Sequence, residues 1–93
     1  MNKDKLKISR NKVDNLDQKI FNLIKKRTQI VKYMLSLKKS KKEIVDHTRI
    51  KGILKRIKRK SIKNDIDHRI TTKIWKSMIW SYVDFQRRNF KKK

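Results

Sequence analysis

The 93-residue sequence predicts an all-α fold, and two of its features indicate this. It has no proline and a single glycine, Gly52, so it contains few of the residues that break helices or form tight turns. Its apolar residues recur at helical spacing in three successive segments. We therefore expect one domain over residues 1–93 with three helices, long, short and medium. Its core should cover about residues 5–88, followed by a basic, frayed tail at 89–93.

The first predicted helix runs from Leu6 to Leu37. Its apolar residues are separated by alternating threes and fours, as in a heptad pattern; they are Leu6, Val13, Leu16, Ile20, Leu23, Ile30, Met34 and Leu37. Such a helix is about 47 Å long, whereas a compact chain of this size has a radius of gyration of about 12 Å. We therefore expect a second long helix beside it, most simply that of a symmetry mate in a homodimer.

Two shorter helices should follow a loop near residues 40–45. Asp46 precedes a periodic stretch that predicts a helix over about 46–62, and Asn64 and Asp65 break that pattern. Asp67 is a predicted N-cap for the third helix. The apolar stripe of this helix consists of Ile70, Ile74, Trp75, Met78, Ile79 and Tyr82, and ends at Gln86. Trp80 falls on the polar side, where it is either a stacking platform or part of a packing interface.

The charge is strongly positive, with 30 Lys and Arg against 8 Asp and Glu and a formal net charge of +22. Such an excess favours a polyanionic partner such as nucleic acid. However, the lysines are spread over all three predicted helices, as on a solvated surface. They are concentrated only between Lys55 and Lys63 and in the tail from Lys91 to Lys93. Charge alone leaves nucleic-acid binding open.

Several other classes of protein are disfavoured. The absence of cysteine excludes disulfides and thiolate metal sites and fits a reducing compartment. No apolar run has the length of a signal peptide or a membrane span, so we expect a soluble, cytoplasmic protein. His47 and His68 lack the acidic neighbours of a zinc site, and there is neither a glycine-rich phosphate loop nor a nucleophile elbow. We expect no metal and no cofactor.

Polar residues interrupt the apolar stripes at informative positions. Arg27 lies in the heptad seam, where a buried guanidinium needs an anionic partner, either a ligand or an acidic side chain in a salt bridge. Lys38 is close to three helical turns further on and is either a second cation on that face or part of a solvated lysine-rich loop. Gln86 either places an amide on the third stripe, where it needs partners, or faces solvent at the helix end. Arg10 is too far along the helix to share a small ligand with Arg27. A paired antiparallel helix could bring Arg10 from a partner subunit; otherwise Arg10 is an ordinary surface residue.

In order and spacing, these residues resemble the all-helical (type II) chorismate mutases over about Lys5 to Arg88. The segment VDNLDQKIFNLIKKR carries the resemblance together with Arg10, Lys38, Asp46, Arg49 and Gln86. The family implies an intertwined dimer with antiparallel first helices. By resemblance, Arg27 and the partner's Arg10 would bind the substrate carboxylates, Lys38 a carboxylate and the ether oxygen, and Gln86 the ether oxygen. Asp46 and Arg49 would line the site.

The implied activity is an isomerase reaction, the Claisen rearrangement of chorismate to prephenate in phenylalanine and tyrosine synthesis, without a cofactor. Two positions depart from the mutase pattern. Ile50 replaces a usual glutamate and Tyr82 replaces a frequent serine, and both are more similar to the isochorismate pyruvate-lyases, which make salicylate and pyruvate. This lyase is the alternative. A basic helical nucleic-acid-binding protein is the alternative from another class, and it is disfavoured because one anionic small molecule explains both Arg27 and Gln86.

Overall fold

A computed structural model describes residues 2–91, which form three α-helices and one short 3-10 turn. They are α1 (Asn2–Leu37), the 3-10 turn (Lys41–Glu43), α2 (His47–Lys63) and α3 (His68–Asn89). The described residues contain no strand. The helices have 36, 17 and 22 residues, which confirms the all-α prediction of a long, a short and a medium helix. Of the predicted basic tail, Lys92 and Lys93 lie outside the described residues.

The chain consists of two compact units, one that extends to Tyr33 and one that begins at Met34. The backbone of α1 continues through this boundary as regular helix. The first unit contains no secondary structure other than α1, whereas the second contains the end of α1, the 3-10 turn, α2 and α3. The prediction of a single domain stays a prediction.

The heptad segment forms one uninterrupted helix, as predicted, and begins four residues earlier than Leu6. None of its residues is buried. The eight apolar residues of the heptad pattern are each between 43% and 63% exposed. A stripe of this length on one helix face is typical of a surface that packs against another helix.

Both α2 and α3 begin at an aspartate that caps the helix. Asp46 Oδ1 accepts the Arg49 backbone N–H at 3.0 Å, and Asp67 Oδ1 accepts that of Arg69 at 2.9 Å. Each carboxylate accepts a hydrogen bond from a first-turn N–H that has no partner within the helix. Each also lies at the positive end of the helix dipole. Between the helices, Asp65 has a φ of 56°, which aspartate tolerates better than most residues. The predicted cap and the predicted break are confirmed.

Contacts between α2 and α3 form the core of the second unit. Ile79 and Val83 of α3 are buried, as is Ile44 in the loop before α2. A polar link accompanies them: the buried Ser61 Oγ bonds the Ile57 carbonyl at 2.6 Å and Thr71 Oγ1 at 2.7 Å. The hydroxyl of Ser61 therefore links α2 to α3, and although it is buried it has hydrogen-bond partners.

The apolar stripe predicted for α3 is only partly correct. Ile70 and Ile74 are 57% and 53% exposed, whereas Val83, which lies outside the predicted stripe, is buried. At about 100° per residue, Ile70 and Ile74 lie on the opposite side of the helix from Ile79. Trp80 is partly exposed and its ring packs against His47 at a centroid distance of 6.4 Å. This contact supports the packing role considered for Trp80.

Candidate functional site

Lys38 and Gln86 lie in direct contact. Lys38 is the first residue after α1 and is half-buried, while Gln86 lies near the end of α3 and is only 7% exposed. Lys38 Nζ donates a hydrogen bond of 2.7 Å to Gln86 Oε1. Both residues belong to the second unit. The two polar groups that the sequence analysis selected from different helical patterns are therefore neighbours.

The orientation of the Gln86 amide follows from its two partners. Its Nε2 donates to the Tyr82 carbonyl at 3.2 Å, while its Oε1 faces Lys38. An ammonium group has three donors and no acceptor, so only the amide oxygen can face it. Lys38 has donors beyond the one that it gives to Gln86, and the Gln86 amide has a second N–H. The pair can therefore present N–H donors to one negatively charged oxygen.

Burial lowers the pKa of Lys38 below its usual value of 10.5, because the charged ammonium loses hydration. The negative charge of Glu43 opposes this effect and raises the pKa of Lys38. Glu43 therefore favours the protonated form of the lysine, which is the form that can donate hydrogen bonds and bind an anion.

Glu43 also orders the backbone that follows Lys38. Its carboxylate accepts the backbone N–H of Lys39 and, at 3.0 Å, that of Ser40. The N–H groups of Ser40 and Lys39 lower the pKa of Glu43 below its usual value of 4.5. Glu43 was not among the predicted site residues. The available signal was the spacing Ser-x-x-Glu from Ser40 to Glu43, which is typical of a capping box.

Three further predicted site residues lie at the start of α2. Asp46 is exposed, and its side chain is bonded to the backbone of Arg49. Arg49 is itself exposed, and both residues border a shallow groove along α2. Ile50 is half-buried, and its backbone N–H bonds the Asp46 carbonyl at 3.0 Å. The structure thus gives Asp46 a capping role at the start of α2, beside the role in the site that the resemblance implied.

The two remaining arginines lie on α1 in the first unit. Arg10 is exposed and Arg27 is half-buried. Tyr82 is half-buried on α3, one turn before Gln86, and accepts the Gln86 amide through its carbonyl. The roles of Arg10, Arg27 and Tyr82 toward a ligand stay predictions.

Neither a metal site nor a membrane span occurs in the part of the chain that the structure describes. Residues 2–91 contain no group of three or more His, Asp or Glu side chains that could hold a metal ion. His47 is exposed and His68 is half-buried. Over the same range no helix combines the length and the apolar character that crossing a membrane requires.

A family model for chorismate mutase type II matches residues 9–87. The chain belongs to this family. The match extends from α1 through α2 into the last turn of α3, and it includes every predicted site residue from Arg10 to Gln86. Comparisons with curated proteins and with solved structures find no match. The resemblance inferred from the sequence is confirmed. Enzymes of the chorismate mutase family act on a small-molecule substrate.

Proposed function

We propose that this chain is a chorismate mutase, which converts chorismate to prephenate in the synthesis of phenylalanine and tyrosine. The observation that carries the proposal is the contact of 2.7 Å between Lys38 and Gln86 in a chain of the chorismate mutase type II family. We further propose that the enzyme is a single-domain, cytoplasmic protein. Its substrate is a small dicarboxylate, which suits a cationic site.

The chemistry requires orientation and charge stabilisation rather than a nucleophile. In the rearrangement the ether carbon–oxygen bond breaks as a new carbon–carbon bond forms, with no net gain or loss of atoms. The substrate must be held in its compact diaxial conformation, which lowers the entropic part of the barrier. Negative charge grows on the ether oxygen as its bond breaks. Lys38 and the second N–H of Gln86 are suited to stabilise that charge, as the donors of an oxyanion hole do.

The substrate carboxylates need further cations. We propose that Arg27 binds one carboxylate of the substrate, and that Arg10 is contributed by the partner subunit of a homodimer. Arg49, Asp46, Ile50 and Tyr82 complete the proposed lining. The apolar stripe of α1 supports the dimer, because eight exposed apolar side chains on one helix face are suited to packing against a second copy of α1. In an antiparallel pair each first helix would bring its Arg10 toward the other subunit's site.

Purified protein incubated with chorismate tests the proposal directly. The enol ether absorbance of chorismate should disappear, and prephenate should form without any added metal or cofactor. Lys38→Ala should lose most of this turnover and Lys39→Ala should retain it, because Lys39 is exposed and is not part of the proposed site. Absence of prephenate formation by the folded parent protein would contradict the proposal.

A second candidate reaction is the cleavage of isochorismate to salicylate and pyruvate. Ile50 and Tyr82 favour it, since neither of them is the residue usual in the mutases, and the half-buried Ile50 cannot accept a hydrogen bond from a substrate hydroxyl. Incubation with isochorismate, followed by salicylate fluorescence, separates the two reactions. If the missing acceptor limits the mutase, Ile50→Glu should raise turnover of chorismate. Salicylate release by the parent, with no gain in that variant, would instead favour the lyase.

A further inference from the structure

Helix α2 carries a high and unbalanced positive charge. Its 17 residues include eight Lys and Arg and no Asp or Glu. No acidic residue occurs anywhere between Asp46 and Asp65. Five of the cations border one shallow groove along the exposed side of the helix, together with Gly52. We call these five residues the α2 basic face; they are Lys55, Arg56, Arg59, Lys60 and Lys63.

No ion pair neutralises the α2 basic face in the part of the second unit that the structure describes. Among the described residues, the ion pairs are those of Arg69 with Asp67 and of Arg88 with Asp84, and neither involves this face. The Glu43 carboxylate accepts the backbone N–H of Ser40 in the turn before α2, and Asp46 accepts that of Arg49 in the first turn of α2. Since the five side chains are exposed and lie on adjacent turns, they repel one another. An external anion would remove this repulsion.

The surface is open to a large ligand. Gly52 is exposed and borders the groove, and a Cβ added there would meet no atom within 4 Å beyond its own chain neighbours and helix backbone. The apolar residues Ile53, Leu54 and Ile57 are half-buried on another side of the helix. The helix therefore does not offer the broad, exposed apolar face with which amphipathic helices enter a membrane. A polymer that presents charge alone fits this surface better than a lipid bilayer does.

We propose that the α2 basic face binds the phosphate backbone of nucleic acid without sequence preference, as a second function beside the proposed mutase reaction. Arg56 and Arg59 supply planar guanidinium groups that can bind phosphate through two hydrogen bonds, and the three lysines add point charges. The face lacks Asn and Gln side chains, which often read base edges. Binding therefore depends on counterion release and weakens steeply as salt rises. This inference does not rest on the mutase proposal, because it uses none of the proposed site residues.

Fluorescence anisotropy with a labelled 20-base-pair DNA duplex tests the proposal over a series of salt concentrations. The variant K55Q/R59Q/K63Q removes three charges from the α2 basic face. The matched control, K7Q/K25Q/K32Q, removes three charges from exposed positions of α1, so that both variants fall from +22 to +19. Because each phosphate contact contributes about 0.9 to the slope of log affinity against log salt, we expect the α2 variant to lose roughly 10- to 100-fold in affinity at 0.1 M salt. The control should lose much less.

The other outcomes overturn the proposal. Equal losses in the two variants would show that net charge, and not the α2 basic face, is responsible. Absence of duplex binding by the parent at 0.1 M salt would exclude the function. Co-sedimentation with vesicles of phosphatidylserine and phosphatidylcholine, without duplex binding, would indicate a membrane surface instead. Far-UV circular dichroism should show unchanged helix content in both variants, because Gln forms helices about as readily as Lys and Arg.

Discussion

Lys38 and Gln86 are 48 positions apart in the sequence and are joined by a hydrogen bond of 2.7 Å from the ammonium to the amide oxygen. The bond determines which way the amide faces, and it leaves a second amide N–H for a ligand. Burial of the lysine and the opposing charge of Glu43 then set how readily the ammonium keeps its proton.

Gln86→Leu should impair catalysis far more than folding. Leucine fills a similar volume but removes the donor proposed for the ether oxygen and the acceptor of Lys38. We expect kcat to fall roughly 10²- to 10³-fold, as when one oxyanion donor is lost. Steady-state kinetics with chorismate and a thermal melt measure the two effects. Gln18→Leu, on the exposed side of α1, is the control and should keep its activity. Activity close to that of the parent would remove Gln86 from the proposed site.

The activity should depend on the protonation of Lys38. Its folded pKa lies below 10.5, so kcat/KM should fall as the pH rises toward that value. The same shift means that the folded state holds this proton less tightly than the unfolded chain. The contribution of Lys38 to the free energy of unfolding is thus lowest below its folded pKa and increases as the pH rises toward 10.5.

The fall in kcat/KM at high pH forms the alkaline limb of the pH profile. Substitutions can show whether Lys38 causes this limb. The residual activity of Lys38→Arg should lack the limb, because a guanidinium stays protonated throughout the range. Lys39→Arg should keep it, since Lys39 is exposed and lies outside the proposed site. If only Lys39→Arg lost the limb, the fall in activity at high pH would belong to Lys39 and not to Lys38.

Glu43→Gln should shift the alkaline limb of kcat/KM to lower pH. The substitution removes the negative charge that raises the pKa of Lys38 and weakens the acceptor for the backbone N–H of Lys39 and Ser40. Asp65→Asn removes an equal charge from the turn between α2 and α3 and should leave the limb in place. The pH profile of each variant makes the comparison. An identical profile for Glu43→Gln and the parent would show that Glu43 does not act on Lys38.

Mixing two inactive variants tests the shared site of the proposed dimer. Arg10→Ala and Arg27→Ala should each lose most of kcat/KM. In a mixed dimer, one of the two sites would receive Arg10 from the Arg27→Ala subunit and Arg27 from the other. After subunits exchange at equal amounts, about a quarter of all sites should be intact. Chorismate turnover before and after mixing measures this recovery. No recovery, despite exchange shown by native mass spectrometry, would contradict a site built from two subunits.

Gly52→Ala should stabilise the protein. Glycine inside a helix costs about 0.5–1 kcal/mol relative to alanine, and a Cβ at this position meets no neighbouring atom within 4 Å. We expect the free energy of unfolding to rise by this amount, and the midpoint of urea unfolding to rise with it. Ser61→Ala on the same helix is the comparison, and it should lower the midpoint because it breaks the bond to Thr71. A lower midpoint for Gly52→Ala would mean that the glycine has a structural role that its surroundings do not show.

Local signals predicted the helices well, because each depends on a few neighbouring residues. The heptad pattern marked α1, and Asp46 and Asp67 marked the starts of α2 and α3 through the N–H groups that they cap. Asn64 and Asp65 marked the turn between them, where one residue must adopt a positive φ. The order and spacing of charged and apolar residues also carried the family resemblance that the match over residues 9–87 confirmed.

Contacts between distant segments needed the tertiary structure. The sequence marked Lys38 and Gln86 as polar residues in apolar patterns, but only the packing of the second unit shows their separation and the direction of the amide. The effect of Glu43 on Lys38 was also hidden, since it depends on how the turn after α1 folds back on itself. Ile70 and Ile74 belong to the predicted apolar stripe of α3 and are exposed, because periodicity gives the angle around a helix but not which angle faces a neighbour. Helix formation is a local property of this chain, whereas the geometry of its site depends on packing between segments far apart in sequence.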